Sequence, residues 1–372
     1  MTTSTRDIGD TRVTRLSASA YRIPTDRPEA DGTYAWNATT LVRVEVAGGG
    51  EVGLGWTYAP AATGEVISGF LADVVLGTDL LDVGGTNQAM IRAGRNAGRP
   101  GLVGEAISGV DTALWDLKGK VVGLPVHRLI GACRDSVPLY GSGGFTTYSD
   151  DRLSQQVEEW LAVGMTAGKI KIGEDRGRRV DRDILRMRQA KALLGPDREL
   201  FVDANGGYTR KQAIRVMERV GDLDVAWFEE PVSSDDPAGL REVRDAVSAD
   251  VAAGEYGYDL VYFRRLCEEG AVDCLQADVS RCGGITEWLR VAAVAAAFGL
   301  EISGHCAPHL HAHVAAAVPN LRHLEWFHDH VRIEAAALDA AAAVQDGRLV
   351  LGDEPGLGIR WREADMAEFR VG

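Results

Sequence analysis

Between residues 14 and 56 apolar and polar positions alternate, as in Thr40-Leu41-Val42-Arg43-Val44-Glu45-Val46, the period of strands with one buried face. A turn-rich stretch at 25–33 and Gly48-Gly49-Gly50 interrupt the alternation, so antiparallel strands are expected. Helical periodicity follows at 63–76 and 87–93, which together with the strands predicts a separate α+β domain. A longer helical pattern covers 106–120, where Ile107, Val110, Leu114 and Leu117 form an apolar stripe. With small residues at Ala106, Gly109 and Ala113, this reads as a helix packed closely between domains.

Beyond Cys133 the pattern becomes strand then helix, repeated. Strands are predicted at 137–142, 168–173, 200–205, 225–230, 251–255, 274–279, 301–306 and 323–327, with amphipathic helices such as 210–220 and 286–298 between them. Parallel strands recurring at intervals of roughly 20–35 residues fit a (β/α) barrel better than an open sheet. No GxGxxG follows an early strand, which argues against a dinucleotide fold. The fold class expected is therefore α/β, a TIM-like barrel over 133–349 with an N-terminal α+β capping domain over 1–132. Residues before Thr14 read as a loose tail, and 350–372 are expected to pack back on the cap.

Composition narrows the setting. The 372 residues hold no apolar run long enough to cross a membrane, and Met1-Thr2-Thr3 leads into polar sequence without a signal-peptide core. A cytoplasmic protein is expected, assembling as a homo-oligomer. Five cysteines without CxxC spacing indicate neither a disulfide framework nor a zinc site. A formal charge of −14 disfavours nucleic acid and anionic membranes as partners and leaves a small molecule as the expected ligand.

In a barrel, polar residues at the C-terminal strand ends face the active site. Those ends read Lys169 and Lys171, Asp203 and Asn205, Glu229, Glu255, Asp278, His305 and Glu325. Lys169 and Lys171 are two apart on one strand and so share a face. An isolated Lys-x-Lys is ordinarily two solvated lysines, but held together the two cations should lower at least one pKa and yield a base. Asp203, Glu229 and Glu255 close three successive strands, a hard oxygen set suited to Mg²⁺. Asp278 paired with His305 would fix the imidazole tautomer and raise its pKa, giving a general acid or base. Glu325 is a candidate neutral carboxylic acid donating to a substrate oxygen. His309 and His313 read as packing or capping residues rather than zinc ligands, and His330 as part of a solvated loop. The polar 25–33 stretch is either a mobile flap or an idle surface loop.

These residues resemble the mandelate racemase subgroup of the enolase superfamily. The resemblance rests on the 106–120 helix, Lys169-Ile170-Lys171, Asp203-Ala204-Asn205, Trp227-Phe228-Glu229-Glu230-Pro231, Gly254-Glu255, Asp278 followed by Gly283-Gly284, Ser303-Gly304-His305 and Leu324-Glu325. It runs from about residue 102 to 358 and implies a (β/α)7β barrel with Mg²⁺ on Asp203, Glu229 and Glu255. It further implies Lys171 as base on one substrate face with Lys169 tuning it, a His305–Asp278 dyad on the other, and Glu325 bonded to the substrate carboxylate. Muconate-cycloisomerase-like relatives carry a lysine on the sixth strand, where this chain has Asp278.

The implied chemistry is removal of a proton alpha to a carboxylate. Dehydration of an acid sugar, an aldonate or aldarate, to a 2-keto-3-deoxy acid is the expected reaction, with Asn205, Arg27 and Tyr34 as substrate-binding candidates. Arg27 would pair with the second carboxylate of a diacid. Racemisation or epimerisation of a 2-hydroxy or amino acid derivative and cycloisomerisation of an aldarolactone are the alternatives from the same intermediate. A non-catalytic relative and a Schiff-base aldolase are further readings, disfavoured by the intact constellation.

Overall fold

The computed structural model describes residues 9–371, so most of the expected N-terminal tail, residues 1–8, and the sequence Met1-Thr2-Thr3 lie outside the described residues. Strands β1 (Val13–Ala30), β2 (Ala35–Gly48) and β3 (Glu51–Tyr58) form an antiparallel sheet, its outer edge extended by Arg370–Val371 pairing with Tyr21 and Ala20 of β1. Eight parallel strands follow: β4 (Ser136–Gly143), β5 (Ala167–Lys171), β6 (Glu199–Asp203), β7 (Val225–Glu229), β8 (Asp250–Ala253), β9 (Cys274–Ala277), β10 (Glu301–Gly304) and β11 (Leu321–Phe327). Pairing of β11 with β4 closes the barrel. This is the TIM-like barrel with a capping sheet that the sequence predicts.

The helix Gly104–Val122 joins the two parts. On one side β3 lies so close that a Cβ on Gly53 would come 2.1 Å from the Ala113 carbonyl oxygen, and one on Gly55 2.5 Å from that of Gly109. On the other side Asp111 accepts from the Asn87 amide (2.8 Å) and from Thr286 N (3.0 Å) at the start of a barrel helix. One turn along, Asp116 accepts from Leu54 N of the cap (2.7 Å) and from Leu357 N of the C-terminal segment (2.6 Å). Two buried carboxylates therefore satisfy backbone donors from separate parts of the chain, which fixes how the cap sits over the strand ends.

The 25–33 stretch differs from both expectations. β1 continues through it to Ala30, with a bulge between Pro24 and Glu29, and pairs Glu29 with Trp36 and Ala30 with Ala35. It is a strap pinned to the barrel: Thr146 N donates to Ala30 O (2.9 Å), Thr147 Oγ1 to Pro28 O (2.6 Å) and Arg176 N to Gly32 O (2.9 Å). Gly32 is needed there, since a Cβ would meet the Ile172 carbonyl oxygen at 2.6 Å. The polar side chains misled because what the barrel holds is mainly the backbone. The 63–76 helix is interrupted by a π turn at Val66–Leu71, and the second helix runs longer than its pattern, Val83–Gly94.

Candidate active site

The barrel floor below the site is a cluster of rings, Tyr140, Phe201, Trp227 and His323, packed at centroid separations of 4.6–6.5 Å. Above it the strand ends bring the charged groups together. On β5 both lysines are buried on one face: Lys169 Nζ lies 2.6 Å from Glu229 Oε1, 2.8 Å from Glu325 Oε1 and 3.8 Å from Asp203 Oδ2, and Lys171 Nζ lies 2.5 Å from Asp203 Oδ2. Asp203, Glu229 and Glu255 each present an oxygen within 4.8 Å of the others, all buried. Glu230 Oε1 is buried without a hydrogen-bond partner, and Glu255 Oε2 is buried with only His305 Nε2 beside it, at 3.3 Å. An oxygen-only cluster with orphaned acceptors suits a hard divalent cation such as Mg²⁺.

The lysine pKa values run opposite to expectation. Burial works to lower both, but Asp203 beside Lys171, and Glu229, Glu325 and Asp203 around Lys169, outweigh it and raise them. Repulsion between the two lysines is real but smaller than the carboxylate field, which a linear reading does not see. Burial likewise works to raise Glu325, yet Lys169, His305 and Lys171 hold it well below the usual carboxylate range. Ser142 Oγ donates to its Oε1 (2.6 Å) and Cys306 N to its Oε2 (2.8 Å), so all its partners are donors. The expected neutral Glu325 acid is thus an ionised acceptor in this arrangement. Glu229, by contrast, is pushed up to about 8 by burial against the pull of Lys169.

His305 Nδ1 bonds Asp278 Oδ2 at 2.8 Å, leaving Nε2 3.3 Å from Glu255 Oε2. Burial opposes charging of this imidazole, but Glu255 and the bond to Asp278 raise its pKa. Asp278 is itself fixed by Ser280 N and Oγ, both 2.7 Å from Oδ1, and by Arg281 Nε 3.5 Å from Oδ2. Lys171 and His305 both line one cavity of about 510 Å³, along with Asn205, Glu255 and Arg281 from the barrel and Asp31, Trp36, Thr39 and Tyr58 from the cap.

Two substrate-binding candidates fare differently. Tyr34 stands at the cavity mouth, 70% exposed and stacked on Trp36. Arg27 is exposed on the strap and is not among the residues that line the cavity. His330 is not in a solvated loop: it is buried in the helix His328–Ala337, its ring stacked on Tyr58 at 3.4 Å, and burial pushes its pKa down to about 3. His313 packs as expected, accepting from His127 N (3.2 Å) and bonding Leu357 O (3.0 Å).

The sequence reading missed Glu230 and Arg281. Strand alternation points Glu230 away from Glu229, but a φ of +37° just past the strand end turns the backbone and buries it near the triad. Arg281 was findable, three residues beyond Asp278 in the turn that opens the next helix. Ser142 and Tyr58 gave no signal, since their partners are distant in sequence: Ser142 meets Glu325 where β11 closes on β4, and Tyr58 of the cap meets Glu334 and His330 of a barrel helix.

A capped parallel barrel with three carboxylates on adjacent strand ends, flanked by lysines on one side and an Asp-bonded histidine on the other, defines a class of metal-assisted proton-transfer proteins. The family models for the "Mandelate racemase / muconate lactonizing enzyme, N-terminal domain" and "Enolase C-terminal domain-like" match residues 20–131 and 152–365. The chain belongs to this family, within the enolase superfamily. It is 33% identical to an L-talarate/galactarate dehydratase of Salmonella typhimurium over 84% of this chain and 77% of that protein. The structure of that dehydratase with Mg and L-lyxarohydroxamate superposes with a TM-score of 0.89 at 28% identity, covering 100% and 96% of the two chains. A D-galactarolactone cycloisomerase of Agrobacterium fabrum is 31% identical over 94% and 96%. A mandelate racemase/muconate lactonizing enzyme-like protein from Rubrobacter xylanophilus is 43% identical, with a TM-score of 0.93 and coverage of 97% and 100%. No helix among the described residues is long and apolar enough to cross a membrane.

Proposed function

We propose that the protein is a Mg²⁺-dependent dehydratase of an acid sugar. The observation that carries this reading is the placement of Lys171 and His305 on the wall of one cavity, with Glu255 of the carboxylate triad between them and polar groups in its cap. Mg²⁺ on Asp203, Glu229 and Glu255 would supply positive charge beside the substrate carboxylate, lowering the cost of carbanion formation at the α-carbon.

The chain's own groups do the proton work. Lys171 would take the α-proton as the neutral amine: Asp203, whose charge holds the ammonium proton on Nζ, also belongs to the cation-binding triad, so a cation held there would offset that charge and let Nζ lose its proton to solvent before substrate is deprotonated. Lys169 stays charged between Glu229 and Glu325 and keeps a positive field at the base of the site. His305, whose raised pKa favours the imidazolium, donates from Nε2 to the departing β-hydroxyl. Loss of that hydroxyl as water leaves an enol that becomes the 2-keto-3-deoxy acid. Asp31, Thr39 and Asp329 in the cavity suit a hydroxylated chain.

A second reading follows from the same geometry, because Lys171 and His305 both reach the cavity: proton return to the opposite face gives a racemase or epimerase. Cycloisomerisation is the activity named for the Agrobacterium relative. The test is a screen of aldonates, aldarates and their lactones with Mg²⁺, reading 2-keto acids as semicarbazones and α-proton exchange by NMR in D₂O, before and after EDTA. Keto acid formation abolished by EDTA is expected. Exchange with stereochemical equilibration and no keto acid would replace the dehydratase reading with the racemase one.

A further inference from the structure

Behind the cavity wall the strap carries a second cluster that the reaction does not use. Asp26 and Glu29 lie in and beside the β1 bulge, and His328 opens the helix that follows β11. Each offers a ligand atom within 4.8 Å of the others, and His328 Nε2 stands 3.2 and 3.3 Å from the two Asp26 carboxylate oxygens.

Glu29 is the informative member. It is 1% exposed, its Oε2 accepts from Trp36 Nε1 (2.8 Å), and its Oε1 has no hydrogen-bond partner. Leaving a buried carboxylate oxygen unpaired costs about 1–3 kcal/mol or more, so the pocket favours a positive partner. Of the adjacent cations, Arg332 donates from Nη2 to Asp329 Oδ1 and Pro24 O, and Arg152 pairs with Glu159, so neither fills the place beside Glu29 Oε1. Burial, then Asp329 and Asp26, push the Glu29 carboxyl up to about 8, so a proton competes for the same place at neutral pH.

We propose that Asp26, Glu29 and His328 bind a transition-series divalent cation of the zinc type, which clamps the strap to the barrel. One imidazole with two carboxylates suits zinc or cobalt better than magnesium, which prefers oxygen ligands throughout. Zinc–ligand bonds of about 2.0–2.1 Å place tetrahedral ligand atoms about 3.4 Å apart. The Asp26–His328 separation of 3.2 Å already matches, and a Glu29 carboxylate oxygen lies within 4.8 Å of both, so small side-chain shifts complete the set. Asp26 is partly exposed, so water supplies the fourth position. Two ligands come from the cap and one from the barrel. Glu29 holds Trp36, and Asp329 adjoins His328, and both lie in the cavity wall. Occupancy therefore fixes the wall that closes over substrate.

The test reads metal uptake, not turnover, and so stands apart from the dehydratase reading. Protein stripped with chelator and saturated with Mg²⁺ is titrated with Zn²⁺, with Co²⁺ as the spectroscopic probe, and bound metal is counted after gel filtration. The wild-type chain and the triad variant Glu255→Gln should each retain one Zn²⁺ equivalent and show tetrahedral Co²⁺ bands. Glu29→Gln and His328→Ala should lose both. His328→Ala, at a partly exposed position, keeps the test valid if Glu29→Gln does not fold. The proposal is overturned if the wild-type chain takes up no Zn²⁺, or if His328→Ala retains it while Glu255→Gln does not.

Discussion

Replacing Lys169 with methionine tests how the site is balanced. Lys169 is fully buried, 2.6 Å from Glu229 Oε1 and 2.8 Å from Glu325 Oε1, and Lys169→Met leaves both carboxylates in a dry interior without their cation. Breaking a buried pair by removing one partner costs about 3–5 kcal/mol. At the usual ~2.1 cal/mol/K per residue, a chain of 372 residues loses about 4–6 °C in Tm for that cost. The same change should tighten Mg²⁺ binding, because Lys169 Nζ competes with a cation for Glu229 Oε1. Unit charges about 4 Å apart repel by about 4 kcal/mol at an effective dielectric of 20, so even a fraction of that gives tenfold tighter binding, about 1.4 kcal/mol. Under Mg²⁺ concentrations above Kd, the variant should therefore gain about 2 °C more than the wild-type chain. Thermal unfolding of both proteins in EDTA and in Mg²⁺ measures the two effects together. A loss in EDTA below about 1 kcal/mol, or a Mg²⁺ shift no larger in the variant, would refute the placement of Lys169 as the counter-charge of an ion-binding cluster.

Lys171→Ala and His305→Asn should each lower kcat by about 10²–10⁴, the usual worth of a positioned acid or base. With Lys171 as base, only Lys171→Ala should also abolish α-proton exchange in D₂O, and full turnover in either variant would remove that residue from the chemistry. Asp111 gives a pH test remote from the triad: burial pushes its carboxyl up to about 7 from an unfolded 3.8, so its contribution is fully present below about pH 4 and is lost as pH rises through 7. The difference is on the order of 4 kcal/mol, read as a falling denaturant midpoint between those pH values, and Asp111→Asn should flatten that fall.

The eight barrel strands were legible because each is a short, largely apolar segment in a repeating strand-then-helix pattern, and three successive ones close on or shortly before a carboxylate, which lets the strand-end rule name Asp203, Glu229 and Glu255. Register carries that inference: parallel neighbours place successive strand ends side by side, as Lys171 is paired with Asp203 and Asp203 with Glu229. Charge balance was not legible. The Lys169-Ile170-Lys171 segment shows two cations and nothing else, whereas the folded site sets Asp203, Glu229 and Glu325 against them from β6, β7 and β11, and the sign of the pKa shift reverses. His330 was misread for a related reason, since only the cap supplies the Tyr58 ring that covers it.

The strap shows where such reading stops. Its residues are polar, so composition assigns it to solvent, yet its backbone carbonyls at Pro28, Ala30 and Gly32 accept hydrogen bonds from Thr147, Thr146 and Arg176, in two separate barrel segments. Those donors sit more than a hundred residues away and follow no pattern of their own. Side chains that line the cavity, Asp31, Tyr34 and Trp36, are therefore positioned by groups that a linear reading does not connect to them. Arg27, chosen for its charge, is exposed on the same strap and does not line the cavity. The cavity side chains of the strap are thus placed by its backbone contacts to the barrel, which the strap's composition does not show.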